Sequence, residues 1–453
     1  MKRHNFQWSI GPIGNTLVKR SLFSREWLSI LVFICLIALS AFSFTAFLES
    51  KVNASEGKEQ VSISASEILG NSYYRGVCYG GYRDTSRMIQ PTIEEIKEDL
   101  KILSAIGVKI VRTYNTKYDF AHNVVRAIHE LRSEDTSFEM YVMLGAWIQC
   151  KDANTLNPDH SSEDSTHNEE EIARAINIAV RFPDIVKIIV VGNEAMVHWQ
   201  ANYFVQPDVI LRWVRHLQEL KEKEILQPDL WITSSDNFAS WGGGDSKYHN
   251  EDLNALIRAV DYVSMHTYPM HDTHYNPEFW GLHEKEAKEL ADSLKIRRSM
   301  ERALDYAVMQ YESTIDYIAS VDPSKPVHIG ETGWATHSSR LYGDFGSKAT
   351  DEYKSGIYYK MINDWADKNG ITCFYFEAFD EIWKDRSDPG GSENHFGLFD
   401  INGKAKYAVW EHVDNGALNG HHRGGHKVVK TYNGDKKALM ERVELPPLNS
   451  NLK

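Results

Sequence analysis

Cysteine is scarce in this chain, with 4 among 453 residues. Cys35 stands near the N-terminus, and Cys78, Cys150 and Cys373 are an odd number spread over the rest. One disulfide fits that count; a dense disulfide framework does not. No two cysteines have the close spacing of a structural zinc site. Positive charge is also short: 50 Lys and Arg face 63 Asp and Glu, for a net charge of −13. An acidic surface repels phosphate backbones, which argues against nucleic acid as a partner. No glycine-rich phosphate loop follows the first strand-like run, so a doubly wound nucleotide-binding sheet loses its main support.

Long apolar runs are nearly absent too. The exception is 27–48, which carries no charge and is long enough to span a bilayer as a helix. Lys2, Arg3, Lys19, Arg20 and Arg25 precede it. Basic residues on that side predict a signal anchor: a cytoplasmic tail at 1–26, a transmembrane helix at 27–48, and the remainder outside the cytoplasm, periplasmic or extracellular. A cleaved signal peptide is the alternative. One span is too few for a transporter. The polar, Ser-rich stretch 49–71 reads as a linker.

What the chain does have is a regular alternation. Runs at 74–82, 109–114, 139–147, 185–194, 230–236, 262–268, 327–331 and 372–379 read as strands. Amphipathic stretches at 92–106, 120–131, 169–181, 207–223, 252–258, 300–319 and 350–368 read as helices. An insertion rich in aromatic and histidine residues fills 270–298, and 402–413 is a candidate to close the ring. Eight strands alternating with helices predict an α/β fold, a (β/α)8 TIM barrel over 72–413. The segment 414–453, with His421, His422 and His426, reads as a solvated polar tail without a role.

Two apolar runs stop abruptly at a carboxylate. One is Ile188-Ile189-Val190-Val191-Gly192-Asn193-Glu194, the other Val327-His328-Ile329-Gly330-Glu331-Thr332-Gly333-Trp334. A charge at the mouth of an apolar strand is costly unless it is used or paired. Barrel active sites lie at the C-terminal strand ends, where strands four and seven face each other across the mouth. Two carboxyls so placed are the equipment for cleaving a glycosidic bond, provided they come within about 5–6 Å. One, kept protonated by a raised pKa, donates to the leaving oxygen; the other attacks the anomeric carbon. Asn193 can bond the neighbouring sugar hydroxyl, which makes Glu194 the acid/base and Glu331 the nucleophile.

Other strand ends supply support. Arg112 can pair with the nucleophile and hold it ionised, with Tyr114 beside it. His266 and Tyr268 end strand six, and Tyr268 can bond Glu331. Trp334 is placed to stack on a sugar face. Strand eight ends in Glu377, Asp380 and Glu381, followed by Lys384. Glu377, Glu381 and Lys384 can grip sugar hydroxyls, whereas Asp380 reads equally as a surface acid.

The motifs Val191-Gly192-Asn193-Glu194, Gly330-Glu331-Thr332-Gly333-Trp334 and Tyr375-Phe376-Glu377-Ala378-Phe379-Asp380-Glu381, together with Arg112-Thr113-Tyr114, resemble glycoside hydrolase family 17, the β-1,3-glucanases. The resemblance covers roughly 74–413. It implies a retaining enzyme on β-1,3-glucan that needs no metal or cofactor, with Glu194 as acid/base, Glu331 as nucleophile, and Glu377, Glu381 and Lys384 lining the glucose site. Ala335 departs from the proline usual after the tryptophan. A transglycosylase using the same residues is the nearest alternative, and a non-catalytic glycan-binding module a further one.

Overall fold

A computed structural model describes residues 63–451. Eight parallel strands close into a barrel: β1 (Arg75–Cys78), β2 (Val108–Arg112), β3 (Tyr141–Ala146), β4 (Val186–Asn193), β5 (Trp231–Asn237), β6 (Val263–His266), β7 (Val327–Thr332) and β8 (Cys373–Tyr375). Each pairs in parallel with its sequence neighbours, and β8 returns to β1. That direct pairing closes the ring. The stretch 402–413, expected to do so, instead holds a 3-10 turn, Tyr407–Val409, and a short helix, Trp410–Asp414.

The helices between the strands are α1 (Ile93–Ala105), α2 (Asp119–Glu134), α3 (Ser165–Arg181), α4 (Pro207–Glu222), α5 (Glu251–Ala259), α6 (Asp292–Val321) and α7 (Glu352–Lys368). Local chemistry sets their ends. Thr92 and Glu95 form a reciprocal capping box at the start of α1. Gly107 ends that helix at φ +86°, a conformation that favours glycine. Pro207 opens α4, where its missing N–H costs nothing. α6 begins eight residues before the expected 300 and takes up the end of the insertion, whose remainder forms Pro269–Tyr275, Pro277–Phe279 and Glu284–Glu289.

Two apolar clusters follow from the strand period of two. In β4, Ile188 and Val190 point into the barrel with Ile110, Met143, Tyr262 and Phe374. Ile189 and Val191 point outward to the helices. A one-turn helix, Ala65–Ile68, packs Ala65, Ile68 and Leu69 against the interior cluster. Gly70 N donates to Thr372 Oγ1 (2.8 Å) and Ala65 N to the Asp229 carbonyl, so this turn plugs the end of the barrel where β8 and β5 begin. Residues 63–71 therefore belong to the barrel rather than to a linker.

The expected polar tail is also folded onto the domain. Leu418, Val428 and Leu439 join the outer apolar cluster. Arg423, 1% exposed, donates from Nε to Asp99 on α1 at 2.9 Å. Arg83 holds the same carboxylate at 2.9 Å. His422 and His426 stand on a small hairpin beside it. Cys78, Cys150 and Cys373 are buried free thiols, so the disulfide allowed by the count is not formed among them. Among the described residues no helix is long and apolar enough to cross a membrane; the expected span at 27–48 lies outside them.

Candidate active site

A cleft of about 1760 Å³ opens over the C-terminal ends of the strands. Glu194, Glu331, Asn193, Tyr114, Tyr268, Glu381 and Lys384 all line it. Backbone irregularities aim the two strand-end glutamates. In β7 the pairing register slips against both neighbours near its end. Such a bulge redirects a side chain, and Glu331 turns to the mouth although Ile329 and Thr332 face outward. At the end of β4 the register slips again, Gly192 takes φ +80° and Glu194 takes φ +45°. A left-handed glutamate is strained, and strain of this kind clusters at functional sites.

Glu331 is held by donors on several sides. Arg112 Nη1 donates to Oε1 at 2.7 Å, and Tyr268 Oη donates to Oε2 at 2.6 Å. Arg112, 1% exposed, also donates from Nη2 to Asn193 Oδ1 at 2.6 Å. One guanidinium thus fixes the Glu331 carboxylate and the asparagine beside Glu194. Charge-assisted bonds of this kind are short and strong, and they suit an ionised carboxylate. Burial, together with the Glu331 charge, pushes the Tyr268 hydroxyl well above its usual range, so Tyr268 remains a donor.

His266 is fully buried and stands between the two acids. Its Nδ1 lies 3.2 Å from Glu194 Oε1 and 3.7 Å from Glu331 Oε2. Those two oxygens are therefore at most 6.9 Å apart, the sum of the two contacts. Nε2 meets Ser235 Oγ at 2.7 Å and faces Arg112 Nη1 at 3.3 Å. A guanidinium can only donate, so the arrangement favours Nε2 as acceptor and Nδ1 as the donor to Glu194.

Glu194 differs from the sequence expectation. A raised carboxyl was expected of the acid, but its pKa is lowered. Burial works in the raising direction and is outweighed by the hydrogen bonds from His266 and Gln200. Gln200 Nε2 donates to Glu194 Oε2 at 2.8 Å.

Beyond β8, Lys384 Nζ bonds Glu377 Oε2 at 2.6 Å and Glu381 Oε2 at 3.3 Å. Burial raises the Glu377 carboxyl well above its usual range, with the Glu381 charge adding and Lys384 opposing. Glu377 is 1% exposed and does not line the cleft, whereas Glu381 and Lys384 do. Asp380 is no surface acid. It is 3% exposed, bonded by Lys406 at 2.6 Å and His395 at 3.2 Å, and these partners lower its pKa against the pull of burial.

Trp334 is the misplaced prediction. It is fully buried, donates to the Ala349 carbonyl at 2.8 Å, and packs on Trp280 and Tyr358. It supports the loop after β7 and cannot stack on a ligand. Arg112 and His266 act from behind the cleft wall, through the glutamates. Residues that sequence reasoning missed include Gln200, Ser235 and Asp236. Asp236 accepts from Met196 N at 2.7 Å and from Ser240 Oγ at 2.6 Å, pinning the loop that carries Glu194. Its carboxyl is raised to about 6 by burial. The polar run Ser234-Ser235-Asp236-Asn237 ending β5 was a readable signal; Gln200, on an irregular loop, left none.

The BtgE/BtgC glycoside hydrolase domain matches residues 76–397. The chain is similar to an endo-laminarinase from Formosa Hel1_33_131, with 58% identity and a TM-score of 0.84, covering 85% of this chain and 98% of that one. It is 28% identical over 276 residues to a glucan 1,3-beta-glucosidase of Arthroderma benhamiae, covering 59% of this chain and 70% of the relative. It is 25% identical over 329 residues to the probable glucan endo-1,3-beta-glucosidase btgC of Aspergillus flavus, covering 70% of this chain but only 40% of that protein's length. An active-site mutant of the Rhizomucor miehei beta-1,3-glucanosyltransferase in complex with laminaritriose, 18% identical with a TM-score of 0.50 over 80% of this chain and 99% of that one, shares the fold.

Proposed function

Because this chain belongs to the BtgE/BtgC glycoside hydrolase domain family, we propose that it is a retaining β-1,3-glucanase of the family 17 type, acting on laminarin-like chains. The observation that carries the reading is one imidazole nitrogen touching both glutamates in one cleft, which bounds their nearest oxygens to 6.9 Å. Retaining enzymes work with carboxyls about 5–5.5 Å apart and inverting ones with about 6.5–9.5 Å, so the bound takes in the retaining spacing and only the shortest inverting ones. The endo-laminarinase likeness at 58% identity supports the substrate class.

The steps balance on residues of this chain. The Glu331 carboxylate attacks the anomeric carbon while Glu194 gives its proton to the glycosidic oxygen, and the leaving chain departs with that proton. Glu194, now ionised, takes a proton from water as the water oxygen attacks the same carbon and frees Glu331. A glucan hydroxyl in place of water gives transfer instead of hydrolysis, with the same residues. Asn193, Tyr114, Glu381 and Lys384 position the sugar around these steps, with Glu377 holding Lys384 from outside the cleft lining. No step calls for a metal or cofactor. The apolar run 27–48, outside the described residues, is proposed as a membrane anchor that leaves the barrel extracytoplasmic.

The test is turnover on defined β-1,3-, β-1,6- and mixed-linkage gluco-oligosaccharides for the wild type and Glu331→Ala. Loss of at least about 1000-fold in the variant is expected, the scale seen when a nucleophile is removed. Equal rates would overturn the enzyme reading, and elongated products would assign transfer over hydrolysis.

A further inference from the structure

The insertion between β6 and α6 forms part of the cleft wall. His271, Asp272, Tyr275 and Asn276 line the cleft from Pro269–Tyr275 and the residue after it, and Gln310 joins them from α6. We propose that this segment builds a separate sugar-binding subsite, one that takes a glucosyl unit next to those at the cleavage point; the proposal rests on the glucanase reading above.

The site is preorganised. Thr267 Oγ1 donates to Gln310 Oε1 at 2.6 Å, which fixes the amide so that its Nε2 donates to Asp272 Oδ2 at 2.9 Å. Asn276 Nδ2 donates to Asp272 Oδ1 at 2.8 Å. Each carboxylate oxygen therefore has one protein donor and a further lone pair for a ligand. A vicinal diol presents two hydroxyl donors at a spacing suited to one carboxylate. Burial raises the Asp272 carboxyl, as expected for an acid held under a cleft wall rather than in open solvent.

Three residues on in the same short helix, Tyr275 also lines the cleft and is 64% exposed although it is a large aromatic. An exposed aromatic face beside fixed polar groups is the usual anatomy of an orienting ligand site. The link to the reacting centre is short. The His271 ring lies 5.4 Å from the ring of Tyr268, whose hydroxyl bonds Glu331. His271 Nδ1 also meets Tyr342 Oη at 2.7 Å, tying the insertion to the loop after β7. Contacts thus run from His271 through Tyr268 to Glu331, and the proposed subsite takes a neighbouring unit of the same chain.

The experiment compares wild type, Tyr275→Ala and Asp272→Asn on β-1,3-gluco-oligosaccharides of three to seven units, with thermal unfolding recorded for each. The wild type is expected to gain in kcat/KM as the chain lengthens. Both variants are expected to lose about 10-fold of that gain, with the loss falling on KM. Tyr275 is exposed, so its replacement does not threaten folding. An unchanged length dependence in both variants would overturn the proposal. So would a loss confined to Asp272→Asn together with a lowered unfolding temperature, since that describes a structural acid. A wild type inactive on the whole series would instead count against the glucanase reading itself.

Discussion

At the scale of single residues, the account turns on how Glu194 keeps and gives up a proton. His266 and Gln200 hold its carboxyl below the usual range. kcat/KM reports the free enzyme, so with Glu194 as the proposed acid its alkaline limb is expected to follow loss of the Glu194 proton. Replacing His266 with alanine removes the contact that counts most against burial, and the Glu194 pKa then rises. The alkaline limb of the kcat/KM profile is expected to move to higher pH, and a limb that moves down or stays would contradict the assignment. Much of this site was legible in the sequence. Glu194, Glu331, Arg112 and Tyr268 are polar residues at the ends of apolar strands, and barrel geometry sends such residues to one mouth. Trp334 was misread because the strand bulge that turns Glu331 toward the cleft is followed by a loop that folds the indole under it.

At the scale of elements, strands were readable because burial on both faces makes them short apolar runs, and helices because one buried face imposes a period of 3.6. The C-terminal stretch was not, because its attachment combines three scattered apolar residues, Leu418, Val428 and Leu439, with an ion pair. Arg423 is anchored on Asp99, which is fully buried on α1, and no periodicity in 414–451 reports such a pair. Removing one partner of a buried pair leaves the other charge uncompensated, at a cost of about 3–5 kcal/mol. Arg423→Ala is therefore expected to lower stability by about that amount in denaturant unfolding, less whatever Arg83 retains on Asp99. A variant as stable as the wild type would return this segment to the role of a tail. The same kind of pairing hides Asp380, which reads as one more surface acid until Lys406 and His395 are seen beside it.

For the whole molecule, the sequence carries two signals of different kinds. The barrel is written in alternation over more than 300 residues and closes as the pattern requires. The proposed anchor is written only in composition, in one uncharged run behind a basic flank. Full-length protein is expected to stay with membranes through an alkaline carbonate wash and to be released by detergent; release by carbonate alone would remove the anchor. The barrel's chemistry is tested most directly by the anomer of the first product. Time-resolved proton NMR of a β-1,3-gluco-oligosaccharide cleaved by the full chain should show the new reducing end as the β-anomer before mutarotation. An initial α-anomer would mean single displacement and would contradict the roles given to Glu194 and Glu331.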